Sequence, residues 1–134
     1  MYTREQLQGL LLSIARPELT IYPSNVNRTG YVVRMRIMFR AKEDFLMALR
    51  RTFEQYNIDS NYKESEGPNR DKPIVIVGRR RSIRAIVNLL PNLPTSHASW
   101  NDFIGVLRIM EEGGHLDDEG MLEIISLVEG DDKQ

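Results

Sequence analysis

Arg34, Arg36 and Arg40 lie in a ten-residue stretch, Tyr31 to Arg40, in which Tyr31, Val33, Met35, Ile37 and Phe39 take the alternate positions. Alternation at a period of two marks a half-buried strand. One face belongs on a core. The other offers three guanidinium groups to water or to a polyanion. Arginine donates through a rigid fork that matches phosphate and the edge of guanine, and a β-ribbon fits the major groove of DNA. Asn25, Asn27 and Arg28 in the preceding turn extend that surface, as do Asn61 and Lys63 on a weaker strand further on. Arg79, Arg80 and Arg81 form a second basic cluster suited to phosphate. The plain alternative is an ordinary solvated sheet face.

The charge distribution supports a polyanion more than the total does. The 134 residues carry a formal net charge of -1. Residues 24–84 hold 14 Lys/Arg against seven Asp/Glu, a net +7, whereas residues 85–134 hold two against ten, a net -8. Such a chain can present a positive face at a neutral total. Hydrophobic residues make up 41%, enough for a core and too many for a disordered segment. With no cysteine, disulfides and thiolate metal sites are excluded. His97 and His115 lack metal-ligand spacing, and His115 is expected at a helix junction. No apolar run reaches the length of about 20 residues that spans a bilayer. The opening segment reads as a poor secretion signal, with no basic n-region and an acid at Glu5. A soluble, intracellular and cytoplasmic protein is expected, with no membrane partner and no small-molecule cofactor.

These residues need positioning elements. Thr3 caps a helix from about Arg4 to Ala15, apolar nearly all round and stopped by Pro17. A helix of that kind must be covered on several sides, by its own domain or by a second copy. Strands are expected at Leu19–Tyr22, Tyr31–Arg40, Asp59–Glu66 and Ile74–Val77. Helices are expected at Ala41–Asn57, Ser82–Leu90, Ser99–Glu112 and Asp117–Val128. Gly67-Pro68-Asn69 signals a turn. The order predicts an α+β sandwich, a four-stranded antiparallel sheet backed by helices on one side. One domain covers residues 1–129, with a flexible tail at 130–134.

That order resembles the LAGLIDADG homing-endonuclease family, an αββαββα domain with a saddle-shaped sheet, here with extra C-terminal helices. Leu11 to Leu19 is similar to its nine-residue motif. "AKEDFLMALRRTFEQYNI", "IVIVGRRRSIRAIVNLLP" and "WNDFIGVLRIMEEGGHLDDEGMLEII" resemble later segments of it. The departures are Leu12 for alanine, Ser13 for glycine, Arg16 for an acid and Leu19 for glycine. The resemblance implies that Glu18 binds a divalent metal, Mg²⁺, and is catalytic. It implies that Arg81 stabilises a charged transition state. It further implies a homodimer whose interface includes Leu11, Leu12, Ser13 and Ala15. Three readings stay open: an Mg²⁺-dependent endonuclease on double-stranded DNA, a DNA-binding regulator that does not cut, and an α+β interaction or ligand-binding module without DNA.

Overall fold

The structure, a computed structural model, describes residues 2–65, 72–90 and 98–132. The Gly67 turn and His97 lie outside them. Along the chain run α1 (Arg4–Ser13), β1 (Arg16–Pro23), β2 (Tyr31–Arg40), α2 (Glu43–Gln55), β3 (Asn61–Lys63), β4 (Ile74–Val77), α3 (Arg80–Leu89), α4 (Ala98–Glu111) and α5 (Asp118–Asp132). A single 3-10 turn, Gly114–Leu116, joins the last two helices and holds His115. The four strands form one sheet in the order β1-β2-β4-β3. The α+β class and the element order match the expectation. Among the described residues, no helix is long and apolar enough to cross a membrane.

By packing, the chain divides into two compact units. The first comprises Met1–Arg16 and Arg36–Asn92. Its α1 starts on a capping box. The Thr3 hydroxyl accepts from the Gln6 N–H at 3.1 Å, and the Gln6 side chain accepts from the Thr3 N–H at 2.9 Å. Two otherwise orphaned donors are thereby satisfied. Leu7 and Leu11 are buried on one face of this helix. Its Gln8 side chain donates to the Leu89 carbonyl at 2.8 Å. In α2, Glu43 and Asp44 complement the positive helix end, while Leu46, Leu49 and Phe53 are fully buried. Phe53 meets Phe39 edge-on, with ring centroids 5.4 Å apart, a favoured aromatic geometry. All of β4 is buried, as are Ile83, Ile86 and Val87 on α3.

Several boundaries differ from expectation, and two of them have clear reasons. The first helix ends at Ser13, not Ala15, because the Ile14 and Ala15 N–H groups both turn back to the Leu10 carbonyl. The chain then enters β1 at Arg16 instead of turning at Pro17. Proline forces its predecessor into extended backbone, and β1 stands at the sheet edge, where a missing N–H is tolerated. β3 keeps only three residues of the expected Asp59–Glu66 strand.

The second unit comprises Pro17–Met35 and Leu93–Gln134. Its helices bury Trp100, Phe103, Val106, Leu107 and Met110 from α4, and Met121 and Ile124 from α5. Trp100 stacks edge-on to Phe103 at 5.7 Å. Gly113 takes φ = 80°, a left-handed position that favours glycine after a helix. The Asp117 carboxylate accepts from the Gly120 N–H at 2.7 Å and closes the first turn of α5. Gly120 then sits so close to Gly114 that any Cβ would run into the Gly114 carbonyl.

Glycine inside a helix ordinarily costs about 1 kcal/mol relative to alanine. At position 120 the sign should reverse. Gly120→Ala is expected to destabilise the protein by about 1–3 kcal/mol through overpacking, measured by urea denaturation.

Candidate nucleic-acid interface

Exposure along β2 alternates as the sequence requires. Met35, Ile37 and Phe39 are buried, whereas Arg34 is exposed and Arg36 and Arg40 are half-buried. The antiparallel register carries this face onward. Arg40 pairs with Ile74, and Ile74 pairs with Lys63. Met38 pairs with Ile76, and Ile76 pairs with Asn61. Directly paired residues share a face of the sheet, so Arg40, Lys63, Met38 and Asn61 lie on one surface. Both Asn61 and Lys63 are exposed. Ile74 is fully buried although it lies on that face. Arg40 and Lys63 flank it, and long cationic stems can lie over apolar surface. On the opposite face, Tyr62 keeps its phenol pKa raised, first by desolvation and then by Glu43 and Glu64.

The turn between β1 and β2 is built rather than loose. The Ser24 N–H donates to the Gly30 carbonyl at 2.8 Å, and Gly30 takes φ = 83°. The Ser24 hydroxyl accepts from the Val26 and Asn27 N–H groups. The Asn27 amide donates to the Tyr31 carbonyl at 2.8 Å, so its side chain helps hold the turn. Asn25 and Arg28 are exposed, and Val26 at the tip is 94% exposed.

Glu18 is the third residue of β1, beyond the end of the helix that its motif was expected to occupy. Its carboxylate accepts from the Arg34 guanidinium at 3.4 Å. The Tyr22 ring lies beneath the same guanidinium, 5.2 Å from its carbon. Cation–π attraction is favourable at that distance. Glu18, Tyr22 and Arg34 thus form one cluster on one face of the hairpin. Glu18 also lines a cleft of about 300 Å³, as does Asp102, an acid the sequence reading did not single out. Mg²⁺ demands close to octahedral oxygen coordination. Among the described residues, no three His, Cys, Asp or Glu side chains stand together to hold a metal, and one oxygen of the Glu18 carboxylate accepts from the Arg34 guanidinium. Within one chain these residues assemble no three-ligand site for the metal that the resemblance implies.

The second basic cluster also has a counter-charge. Arg79 is the N-cap of α3, and Arg80 and Arg81 open its first turn, with no acid there. Cations at this positive helix end are unfavourable. Asp59 offsets them, with an oxygen 3.7 Å from Arg79 and 3.2 Å from Arg81. Arg81 therefore serves an ion pair inside the first unit. Asp59 is itself held in place, because its N–H donates to the Ser82 hydroxyl at 2.9 Å, and Ser82 is fully buried. Arg50 fixes the next residue, donating to the Ser60 hydroxyl and carbonyl, each at 3.2 Å. Arg50, Asp59, Ser60 and Arg79 line a cleft of about 420 Å³.

Of the four residues expected at a dimer interface, Leu11 and Ala15 are buried within the chain. They are corrected to core positions. Leu12 is half-buried and Ser13 exposed. Gly9, which sequence reading passed over, lies on the same exposed side of α1. A Cβ there would meet nothing, and its φ is not positive.

No family model matches the sequence, and no curated protein matches it. Solved structures do. A homing endonuclease, I-TnaI, shares 15% identity with a TM-score of 0.77, over 94% of this chain and 85% of its own. The LAGLIDADG meganuclease I-CpaMI, bound to uncleaved DNA, shares 14% with a TM-score of 0.77, over 95% of this chain and 43% of its own. The LAGLIDADG homing endonuclease I-LtrWI, bound to target DNA, shares 18% with a TM-score of 0.76, over 94% of this chain and 43% of its own. The chain spans less than half the length of those two DNA-bound neighbours. Its fold is that of the LAGLIDADG homing endonucleases.

Ser82→Ala should cost about 1–3 kcal/mol, because it leaves the Asp59 N–H without its buried acceptor. Asp59→Asn removes only exposed ion pairs and should cost less than about 1 kcal/mol. Thermal unfolding of the two variants checks that order.

Proposed function

We propose that this chain is a divergent member of the LAGLIDADG family that binds double-stranded DNA through the arginine face of β2 and its continuation on β3. The observation that carries the reading is the register that sets Arg40 and Lys63 on either side of Ile74, and Met38 and Asn61 on either side of Ile76, all on the Arg36 face of the sheet. A twisted ribbon with cations on one side fits a major groove, where arginine reads guanine and asparagine reads adenine. The DNA carried by two structures of the same fold supports the same partner. Arg28 at the turn and Arg79 and Arg80 at the start of α3 supply phosphate contacts, which fix orientation without reading sequence.

Two copies of the chain make the binding unit. Gly9 supports this reading. Its backbone is helical, nothing among the described residues crowds it, and glycine weakens a helix. A bare backbone on an exposed stripe with Leu12 and Ser13 suits the close approach of a second helix. Mg²⁺-dependent cleavage draws no support from the residues of one chain, because Glu18 accepts from Arg34 and no set of three ligands stands with it.

Gel-shift titration of a mixed-sequence duplex pool tests the DNA reading. Affinity should fall by about three orders of magnitude between low and physiological salt if about six phosphates are neutralised per pair. Arg36→Ala and Arg40→Ala should each weaken binding by about 1–3 kcal/mol. Absence of salt-dependent binding to any duplex would count against the reading. Sedimentation equilibrium tests the pairing: Gly9→Leu should yield monomers that remain folded.

A further inference from the structure

The disagreement between Glu18 and a metal site has a positive counterpart, which rests on the DNA reading above. The family's motif is spelled in its name, with glycine third and an acid eighth. Set on Leu11–Leu19, it begins inside α1 and ends inside β1. Set with its glycine on Gly9, it puts its leucines on Leu7 and Leu10 and lies on α1 up to the cap. The eighth position then falls on Ile14, the C-cap of the helix. Isoleucine has no ligand atom. Glu18 stands four residues further on, in the strand.

We infer that the metal-binding acid of this fold is replaced here by Ile14, and that Glu18 is a positioning residue for Arg34, giving a protein that discriminates bases without cutting DNA. Three features of the cluster carry this. The Glu18 carboxylate holds one Nη of Arg34 at 3.4 Å. The Tyr22 ring supports the guanidinium plane at 5.2 Å. Both contacts leave further N–H groups of the fork available, since a guanidinium carries five donors. A side chain held from two sides loses less freedom when it meets a base. The carboxylate also changes what Arg34 prefers. Its negative charge cancels part of the attraction to any phosphate, which is the sequence-independent part of binding. It leaves in place the two-pronged hydrogen bonding that recognises guanine. Specificity is a difference between affinities, so weakening the non-specific state raises it. Exposure fits this use: the Arg34 side chain is 45% accessible and that of Glu18 28%, open enough for a groove edge to reach the arginine.

The experiment compares wild type, Glu18→Gln and Tyr22→Leu. Binding is measured on a mixed-sequence duplex pool at several salt concentrations, base preference by selection from that pool, and cleavage on supercoiled plasmid with millimolar Mg²⁺. Wild type is expected to bind and leave the plasmid intact. Glu18→Gln should bind the pool severalfold more tightly at low salt. Its dependence of log K on log salt should steepen by about 0.9 for each freed arginine. It should also lose about tenfold of the preference at the base facing Arg34. Tyr22→Leu should lose a similar preference with the salt slope unchanged, which a merely structural defect would not produce. Plasmid nicking by the wild type would overturn the inference, as would a Glu18→Gln variant with unaltered slope and preference. Absence of wild-type binding to the pool would instead overturn the DNA reading beneath it.

Discussion

The burial of Met35, Ile37 and Phe39 sets the side of β2 on which Arg34, Arg36 and Arg40 must stand. Each apolar side chain removed from water contributes about 1.5–3 kcal/mol. A slip of one residue would expose all three and drive three guanidinium groups into the interior. Buried unpaired charge costs more than any local gain could return. The register is therefore strongly specified, and the pairing with β4 transmits it to β3. Lys63 and Asn61 share the face of Arg40 through Ile74 and Ile76, with no direct pairing to β2.

A basic face built this way carries an electrostatic burden, because like charges on neighbouring positions repel. Acids stand against some of these cations. Asp59 serves Arg79 and Arg81, and Glu18 serves Arg34. These pairs are exposed, so they add little to stability. Their effect is on geometry. Asp59 is anchored through its backbone by Ser82. Arg34 is anchored between a carboxylate and a ring. In both places the acid sets where a cation stands, which matters more to a recognition surface than the small energy of the pair.

The two arginine clusters differ in how they are mounted. Arg34, Arg36 and Arg40 rise from a strand whose other face is core, so their backbone is rigid. Arg79, Arg80 and Arg81 sit at a helix start that disfavours positive charge. A phosphate brought to that helix end would relieve the repulsion that the arginines create, since the exposed N–H groups and the cations favour the same anion. The proposed division of labour, base reading on the strand and phosphate contact at the helix, follows this difference in mounting.

The sequence by itself determined the element order, the α+β class and the two faces of β2. Those follow from periodicity, and periodicity is a local property that burial enforces wherever the strand is placed. It also marked Asn61 and Lys63 by type, but not that they share a face with Arg40, since register between distant strands is a tertiary fact. The placement of the motif was beyond it for a specific reason. Leu7, Leu10, Leu11, Leu12 and Ile14 repeat at helical spacing, and a shift of four residues is close to one turn, so Leu7–Ala15 and Leu11–Leu19 present nearly the same apolar stripe. Gly9 at the third position favours the first frame and the acid Glu18 at the eighth favours the second, and the end of α1 at Ser13 decides between them. Likewise, residue type offered Glu18 as an acid free to take a metal and Arg81 as a free cation. Tertiary structure gave each a partner, because Arg34 and Asp59 come from segments 16 and 22 residues away, and charges that fold together at hydrogen-bonding distance pair with one another.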